Sequence, residues 1–344
     1  MSDTLTADVE REQLDLLLRG FQVSRMLRLV ADLGVADNIP TDGHVTVQDL
    51  AAACAVLPGP MLRVLRALGA FRIFQVTAEG EIGHTPYSRL LRTDTPNSMH
   101  HSARFWTGPG SWSAWGMLDV AMKGGTPHEA AWNMGRFEYL RQHPDEARAF
   151  DAMMANFPDN RHAAVAAAYD FSIMGLIADI GGGNGAALRH ILARFPEPRG
   201  LIFDRPDVVE VLTSEELMQG RIMAQSGSFL DGVPAGADIY MLIRVLHDWS
   251  DEHCVQILQT CRAAMGPNSK LLVGEQILEA DPARGRATSY LIDVQMMAMF
   301  GHARERSESE FRSLFDQSGL SLRRVIPTAS PVCIIEAVPI AAPS

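Results

Sequence analysis

The sequence is poor in cysteine, in positive charge and in long apolar runs. Its 344 residues include only four cysteines, with no CxxC or Cys/His ligand spacing, so we expect reduced thiols and no metal site. The 41 acidic against 30 basic side chains give a net charge of -11, which repels phosphate backbones and disfavours nucleic acid as a partner. No run approaches the roughly 18 consecutive apolar residues of a membrane helix, and the first 21 residues do not resemble a signal peptide, so we expect a cytoplasmic protein.

The apolar residues, which make up 47% of the chain with tyrosine and cysteine included, change their pattern near the middle, and this predicts two domains. Residues 1–168 carry apolar side chains mostly at helical spacing. Within them, helices after Thr46 and Pro58 precede a hairpin with its turn at Glu79 and Gly80, which is the order of a winged helix. A DNA-reading helix needs a strongly basic surface that this domain lacks, so we expect it to pack against a second copy of itself.

Residues 169–344 alternate apolar strand runs with helical stretches. The runs begin at Leu176, Gly200, Arg221, Asp238 and Lys270, and two further strands are predicted within residues 321–338. This alternation predicts an α/β fold with a doubly wound, Rossmann-like parallel sheet. Ligands of such sheets bind beyond the carboxyl ends of the strands, so the polar residues at those ends are the candidate site.

The first strand of this sheet runs into the loop DIGGGNG, which spans residues 179–185 and lets a ligand approach the backbone where a helix begins. Its glycines also fit the dinucleotide pattern G-x-G-x-x-A, which leaves a nicotinamide cofactor open. Asp204 ends the second strand and can accept hydrogen bonds from a ribose. Asp179 would repel a phosphate but attract an ammonium or sulfonium group, which favours S-adenosylmethionine.

A histidine and a glutamate follow two later strands of the predicted sheet. His247 lies in RVLHDWSD after the fourth strand, and Glu275 ends the fifth. Both are expected to face the same crevice as the glycine loop and Asp204. A lone histidine is more often a structural residue, but four polar positions that converge on one edge favour a catalytic site.

Several of these segments together resemble the S-adenosylmethionine-dependent small-molecule O-methyltransferases, which include caffeic acid, acetylserotonin and bacterial aromatic-polyketide O-methyltransferases. The segments are DIGGGNG, FDRPDVV around Asp204, VPAGADIYMLIRVLHDWSDE around His247 and RERS from Arg304. The resemblance covers nearly the whole chain. It implies a homodimer that methylates a hydroxyl, most readily a phenolic one, of a secondary metabolite without a metal ion. It also implies that residues 1–168 dimerise and roof the substrate, while residues 169–344 bind the cofactor.

The same resemblance implies roles for individual residues. His247 matches the catalytic base, and Glu275 and Glu305 match the acidic residues that orient it. A neutral imidazole can take a proton from a phenol as the oxygen attacks, and a carboxylate then stabilises the imidazolium. The predicted acceptor contacts are Met154, Met296, Phe300 and Asp248. The predicted cofactor contacts are Asp179, Gly181, Gly183, Asp204, Ser228, Phe229, Arg244 and Trp249.

Two departures from the family pattern lie on the cofactor side. Ser228 stands where an aspartate is common, and Ile243 stands where many members have a polar residue, so we expect a weaker affinity for the cofactor. Three alternatives remain at the level of sequence. One is a nicotinamide-dependent oxidoreductase, and another is a family member repurposed for hydroxylation or decarboxylation with the cofactor retained. The third is a non-catalytic DNA-binding regulator, which the acidic balance disfavours.

Overall fold

The computed structural model describes residues 2–155 and 161–340, with side chains for residues 8–153 and 161–340. The chain divides into two compact units. The first comprises Met1–Leu118 and His128–Pro158, and the second comprises Asp119–Pro127 and Asp159–Ser344. Within the described ranges no single helix is long and apolar enough to span a bilayer, although Val47–Ala53 and Pro58–Ala70, bent by 109°, meet that test as a pair.

The first unit is mostly helical. Its helices are α1 (Ser2–Leu18), α2 (Gly20–Asp32), α3 (Val47–Ala53), α4 (Pro58–Ala70), α5 (Pro86–Arg89), α6 (His100–Trp106), α7 (Pro109–Trp115), α8 (Pro127–Trp132), which begins at the boundary, α9 (Arg136–Gln142) and α10 (Pro144–Ala155). Its strands are β1 (His44–Thr46), β2 (Phe74–Val76) and β3 (Glu81–His84), which form an antiparallel sheet in the order β1-β3-β2.

The predicted order of two helices and a hairpin is present in this unit. Thr46 caps α3 by accepting a hydrogen bond from the backbone of Asp49, at 3.2 Å. The hairpin joins β2 to β3 through Gly80, whose φ of +87° suits a glycine in a turn. A core containing Leu50, Leu65 and Ile82, all fully buried, holds helices and hairpin together.

The second unit contains the predicted sheet. Its strands are β4 (Leu176–Ile180), β5 (Arg199–Asp204), β6 (Ile222–Ser226), β7 (Ile239–Ile243), β8 (Lys270–Leu278), β9 (Arg306–Ser307), β10 (Leu320–Ile326) and β11 (Val332–Pro339). The order is β10-β11-β8-β7-β4-β5-β6, with the short β9 beside β8. Strands β4 to β8 pair in parallel, whereas β11 and β10 add an antiparallel edge.

Helices cover both faces of this sheet because its strands are apolar on both sides. They are α11 (Arg161–Ala168), α12 (Ala186–Arg194), α13 (Pro206–Val209), α14 (Asp251–Ala264), α15 (Ala287–Phe300) and α16 (Glu308–Gln317). Successive side chains of a strand point to opposite faces. Accordingly, Tyr240 packs with α14 and α16 while Met241 packs with α11 and α12. Because β4, β5, β7 and β8 run parallel, their carboxyl ends lie along one edge of the sheet.

Candidate functional site

The glycine loop between β4 and α12 has a backbone that favours glycine. Gly181 and Gly183 have φ angles of +72° and +54°, in the left-handed region. A Cβ atom at Gly181 would lie 2.9 Å from a methyl group of Val245, so this position has no room for a side chain. The backbone N–H of Gly183 donates to the Asp204 carboxylate at 2.9 Å, which ties the loop to the end of β5.

Asp179, the last but one residue of β4, lies beneath this loop and is 2% exposed. A Cβ atom at Gly182 would lie 2.9 Å from its carboxyl group. Burial raises the pKa of Asp179 to about 7, and the nearby carboxylate of Asp204 adds to the shift. No basic side chain of the described ranges offsets these two effects. A ligand that places a positive charge here would therefore be stabilised, whereas a phosphate would not.

Two aromatic residues predicted to lie near the cofactor are in contact. The rings of Phe229 and Trp249 meet edge to face, with centroids 5.6 Å apart. A Cβ atom at Gly181 would lie 3.7 Å from the Phe229 ring, so this pair borders the glycine loop. Ser228 is exposed beside Phe229. The structure thus brings these three residues to the same strand ends as Asp204.

A second group of charged residues surrounds the predicted base. Arg244 follows β7 with a φ of +56°, an uncommon backbone conformation for a residue with a side chain. Its Nη1 donates to Glu275 and to Glu305, both at 3.0 Å, and its Nη2 donates to Glu305 at 2.7 Å. The same Nη2 lies 3.0 Å from Nδ1 of His247. Arg244, predicted as a cofactor contact, therefore lies among the predicted catalytic residues.

The pKa values of the two glutamates of this group are shifted in opposite directions. Burial alone would raise the pKa of Glu305, but contacts with His247 and Arg244 lower it to about 2. Burial raises the pKa of Glu275, and the charges of His247 and Arg244 offset this in part. Glu275 also accepts the backbone N–H of His247 at 3.3 Å. Both carboxylates thus hold the histidine, one through its backbone and one beside its ring.

His247, Glu275 and Glu305 also have the side chains of a metal site. One ligand atom from each lies within 4.8 Å of the others. The guanidinium of Arg244, however, donates to both carboxylates and lies against the histidine ring. Since the protein supplies its own cation to these ligands, this donor set suits an organic base with its counter-ions better than a metal ion.

The short turn Leu246–Asp248 that carries the histidine is held by the segment around β9. Arg306, 1% exposed, donates to the carbonyl oxygens of Leu246 at 2.9 Å and Trp249 at 2.8 Å. It also forms a salt bridge with Asp251 at 2.7 Å. The backbone of Arg304 donates to the carbonyl of His247 at 2.9 Å. Consecutive carbonyls of the turn are thereby fixed.

The predicted acceptor contacts lie partly within the described side chains. Oδ1 of Asp248, whose side chain is 45% exposed, lies 3.4 Å from Nε2 of His247. Met296 and Phe300 belong to α15, one turn and two turns after Asp293, whose carboxylate accepts the backbone N–H of Glu305 at 2.8 Å. These residues therefore share the helix face that turns towards the backbone of Glu305. The side chain of Met154 lies outside the described residues.

Sequence reasoning missed Arg306 and the contacts of Arg244. Arg306 lies in the RERS run, but nothing in that run distinguishes a buried arginine from its exposed neighbours. Arg244 lies beside the histidine in the sequence, and that proximity was the available signal. The left-handed backbone that brings its guanidinium back to Nδ1 has no counterpart in the local pattern of residues.

The chain is similar to known proteins over most of its length. Residues 16–94 match the O-methyltransferase dimerisation domain, and residues 115–321 match the O-methyltransferase domain. The phenazine O-methyltransferase PhzM of Lysobacter antibioticus is 36% identical over 330 residues, which are 94% of this chain and 95% of that protein.

Solved structures give the same result for the whole chain. The mitomycin 7-O-methyltransferase MmcR superposes with a TM-score of 0.85 at 31% identity and covers 98% of this chain and 99% of its own. NcsB1 from neocarzinostatin biosynthesis, solved with S-adenosylmethionine and 2-hydroxy-5-methyl naphthoic acid, superposes with a TM-score of 0.75 at 29% identity, over 92% and 96% of the two chains. The likeness thus extends over both compact units.

Proposed function

The chain belongs to the O-methyltransferase family, and we propose that it methylates a phenolic hydroxyl of a small aromatic metabolite with His247 as the general base. The observation that carries this proposal is the position of His247 between Glu275 and Glu305, on the sheet edge that also bears the glycine loop. The comparisons give no support to a nicotinamide-dependent oxidoreductase or to a repurposed reaction.

The cofactor of the family, S-adenosylmethionine, supplies a methyl group that its sulfonium already makes electrophilic. The residues at the ends of β4 and β5 suit it, because Asp179 is a buried carboxylate without a cation and Asp204 is a half-exposed carboxylate beside the glycine loop. Gly181 and Gly183 would let the cofactor approach the backbone. Phe229 and Trp249 would pack against the adenine ring of the cofactor. Ser228 is exposed beside them and can donate or accept a hydrogen bond.

His247 would take the hydroxyl proton of the acceptor on Nε2, with the Nδ1–H turned towards Glu305. A carboxylate that stays ionised well below neutral pH stabilises the resulting imidazolium. Glu275 and the Arg304 backbone fix the main chain on both sides of the histidine, which preserves the direction of the ring. The chain's own contribution is therefore to position the ring and to hold one proton.

The acceptor is proposed to be a planar aromatic compound. Met296 and Phe300 lie on one face of α15, and methionine adapts its shape to flat or irregular ligands. Asp248 stands beside Nε2 and can accept a hydrogen bond from a second hydroxyl or amino group. The named relatives act on phenazine and mitomycin scaffolds, which favours the same class here. The role of Met154 stays a prediction.

A homodimer is proposed for the first unit. Residues 16–94 match a dimerisation domain, and α1 and α2 expose large apolar side chains, among them Leu17 at 78% and Leu18 at 69%. Leu17→Asp is expected to lower the molar mass from two chains to one in sedimentation equilibrium. Leu57→Asp, at an equally exposed leucine outside these helices, is the matched control and should leave the mass unchanged.

The base is tested by comparing turnover with cofactor binding. His247→Gln is expected to lower kcat by about 10²- to 10⁴-fold with a panel of hydroxylated aromatics, while calorimetry shows nearly unchanged binding of S-adenosylhomocysteine. His190→Gln, at an exposed histidine of α12, should change neither quantity. An equal loss of turnover and binding would contradict the base assignment. Binding of NADH in place of S-adenosylhomocysteine would contradict the proposed reaction.

A further inference from the structure

The hydrogen bond between Arg244 and His247 has a consequence for the position of the imidazole proton. A guanidinium only donates hydrogen bonds, because its nitrogens have no lone pair available. Nη2 of Arg244 lies 3.0 Å from Nδ1 of His247, so Nδ1 must be the acceptor. A neutral imidazole carries one N–H, which must then be on Nε2. Oδ1 of Asp248 lies 3.4 Å from Nε2.

In this arrangement neither ring nitrogen can accept a further proton. Nε2 already carries its hydrogen, and the lone pair of Nδ1 is occupied by Arg244. A base that works through Nε2 needs the opposite tautomer, with the proton on Nδ1. Oε1 of Glu305 lies 3.6 Å from Nδ1, slightly beyond hydrogen-bond distance, so a small shift of the ring or of the carboxylate lets Glu305 accept that proton. The same Oε1 accepts a hydrogen bond from Nη2 of Arg244 at 2.7 Å. Nη2 therefore contacts both Nδ1 and the carboxylate that would otherwise bind Nδ1.

We propose that Arg244 is a positioning residue that competes with Glu305 for Nδ1 of His247 and thereby sets which tautomer the base adopts. This inference rests on the proposed role of His247. With Arg244 on Nδ1, the ring is held in the Nε2–H form. When Arg244 withdraws to its two glutamates, the ring releases the Nε2 proton to solvent and takes one on Nδ1, which donates to Glu305. Nε2 is then free to accept the hydroxyl proton, and the imidazolium that forms has Glu305 as its counter-ion.

The surroundings of the ring allow this exchange. The side chain of His247 is 13% exposed, so its protons can exchange with water. The charged groups that face the His247 ring are Arg244, Glu275, Glu305 and Asp248. The charge of His302 also acts on Asp248. When Nη2 leaves the ring, Arg244 keeps its bonds to Glu275 and Glu305, so the exchange breaks only one of its four hydrogen bonds. The left-handed backbone of Arg244 fixes the origin of its side chain beside the ring.

Nitrogen NMR of the histidine rings tests this inference without a turnover assay. The protein labelled with ¹⁵N-histidine is examined at about pH 8.5, two units above the ordinary imidazole pKa of about 6.5, and His247→Gln identifies the resonances among the 11 histidines. The wild-type protein is expected to show Nε2 protonated and Nδ1 unprotonated. Arg244→Met is expected to move the proton to Nδ1, because Glu305 is then the only partner of Nδ1 among the described side chains. Arg221→Met, which removes an arginine bound to backbone carbonyls elsewhere, should leave the tautomer unchanged.

The outcomes separate this inference from the proposed function. A wild-type spectrum with the proton on Nδ1 would overturn the role of Arg244, whether or not any variant folds. An unchanged tautomer in Arg244→Met would also overturn it. Where Arg244→Met does not fold, Arg244→Lys keeps the charge between the glutamates with a shorter side chain, and it is expected to populate both tautomers. If the tautomers behave as expected but His247→Gln retains full turnover, the base assignment fails while the competition for Nδ1 stands.

Discussion

The sheet edge of the second unit carries two pairs of carboxylates in opposite electrostatic surroundings. Asp179 and Asp204 have no basic partner in the described part of the chain, and the pKa of Asp179 rises to about 7. Glu275 and Glu305 share the guanidinium of Arg244, and the pKa of Glu305 falls to about 2. The first pair therefore lacks a cation that a ligand can supply, whereas the second pair is complete before any ligand binds.

The two pairs also affect stability with opposite signs. A buried carboxylate with a raised pKa keeps its proton in the folded state where the unfolded chain has lost it, so Asp179 lowers stability as the pH rises from about 4 to 7. Glu305 behaves in the other way, because its lowered pKa stabilises the fold above the ordinary glutamate pKa and loses that contribution as the pH falls towards 2. The sheet edge thus carries one pair, Asp179 and Asp204, that the positive charge of a ligand would stabilise. The other pair, Glu275 and Glu305, is already balanced by a cation of the protein.

Removing the cation from the complete pair should have the largest effect. Arg244→Met leaves Glu275 and Glu305 buried without a partner, and we expect the free energy of unfolding to fall by about 3–5 kcal/mol in urea titrations. Arg312→Met breaks an ion pair in which both side chains are about half exposed, and little change is expected. Equal losses in the two variants would mean that the buried pair is no more dependent on its cation than a surface pair is.

Removing the charge of Asp179, in the pair that lacks a cation, should change how the free energy of unfolding depends on pH. Asp179→Asn cannot ionise, so the fall in stability that Asp179 causes between about pH 4 and 7 should disappear, a difference on the order of 4 kcal/mol or less relative to wild type. The measurement is the free energy of unfolding of the ligand-free protein at several pH values. A wild-type-minus-variant difference that does not change with pH would show that Asp179 is ionised throughout.

The fold was predictable from the sequence where burial is continuous. The runs from Leu176, Asp238 and Lys270 are apolar on both faces and became β4, β7 and β8, because a parallel sheet covered on both sides requires such strands. The glycine loop and His247 were predictable from their positions at strand ends. Partners distant in sequence were not, since Arg306 reaches the carbonyl of Leu246 across 60 residues, and no local pattern encodes that contact.

Ligand binding should distinguish the two pairs of carboxylates. If Asp179 needs a cation, the ammonium of S-adenosylhomocysteine should bind the ionised carboxylate and release a proton where Asp179 is protonated. Affinity in calorimetry should therefore fall by up to about tenfold for each pH unit below 7. Asp179→Asn should bind weakly with little dependence on pH. Asp204→Asn removes the second charge, and since Asp204 adds to the pKa shift of Asp179, the dependence on pH should persist but begin at a lower pH. A pH-independent wild-type affinity would contradict the electrostatic role of Asp179.

The smallest effect on stability is expected from the glycine loop, which binds Asp204 through the N–H of Gly183. Gly183 has a φ of +54°, yet a Cβ atom there would meet nothing within 4 Å, so Gly183→Ala should cost only the backbone strain of about 1 kcal/mol. Gly181→Ala adds a contact at 2.9 Å with Val245 and should cost more. Urea titrations of both variants measure these costs. Since the N–H of Gly183 holds Asp204, a large loss in Gly183→Ala would mean that the loop, and not the missing cation, governs this pair of carboxylates.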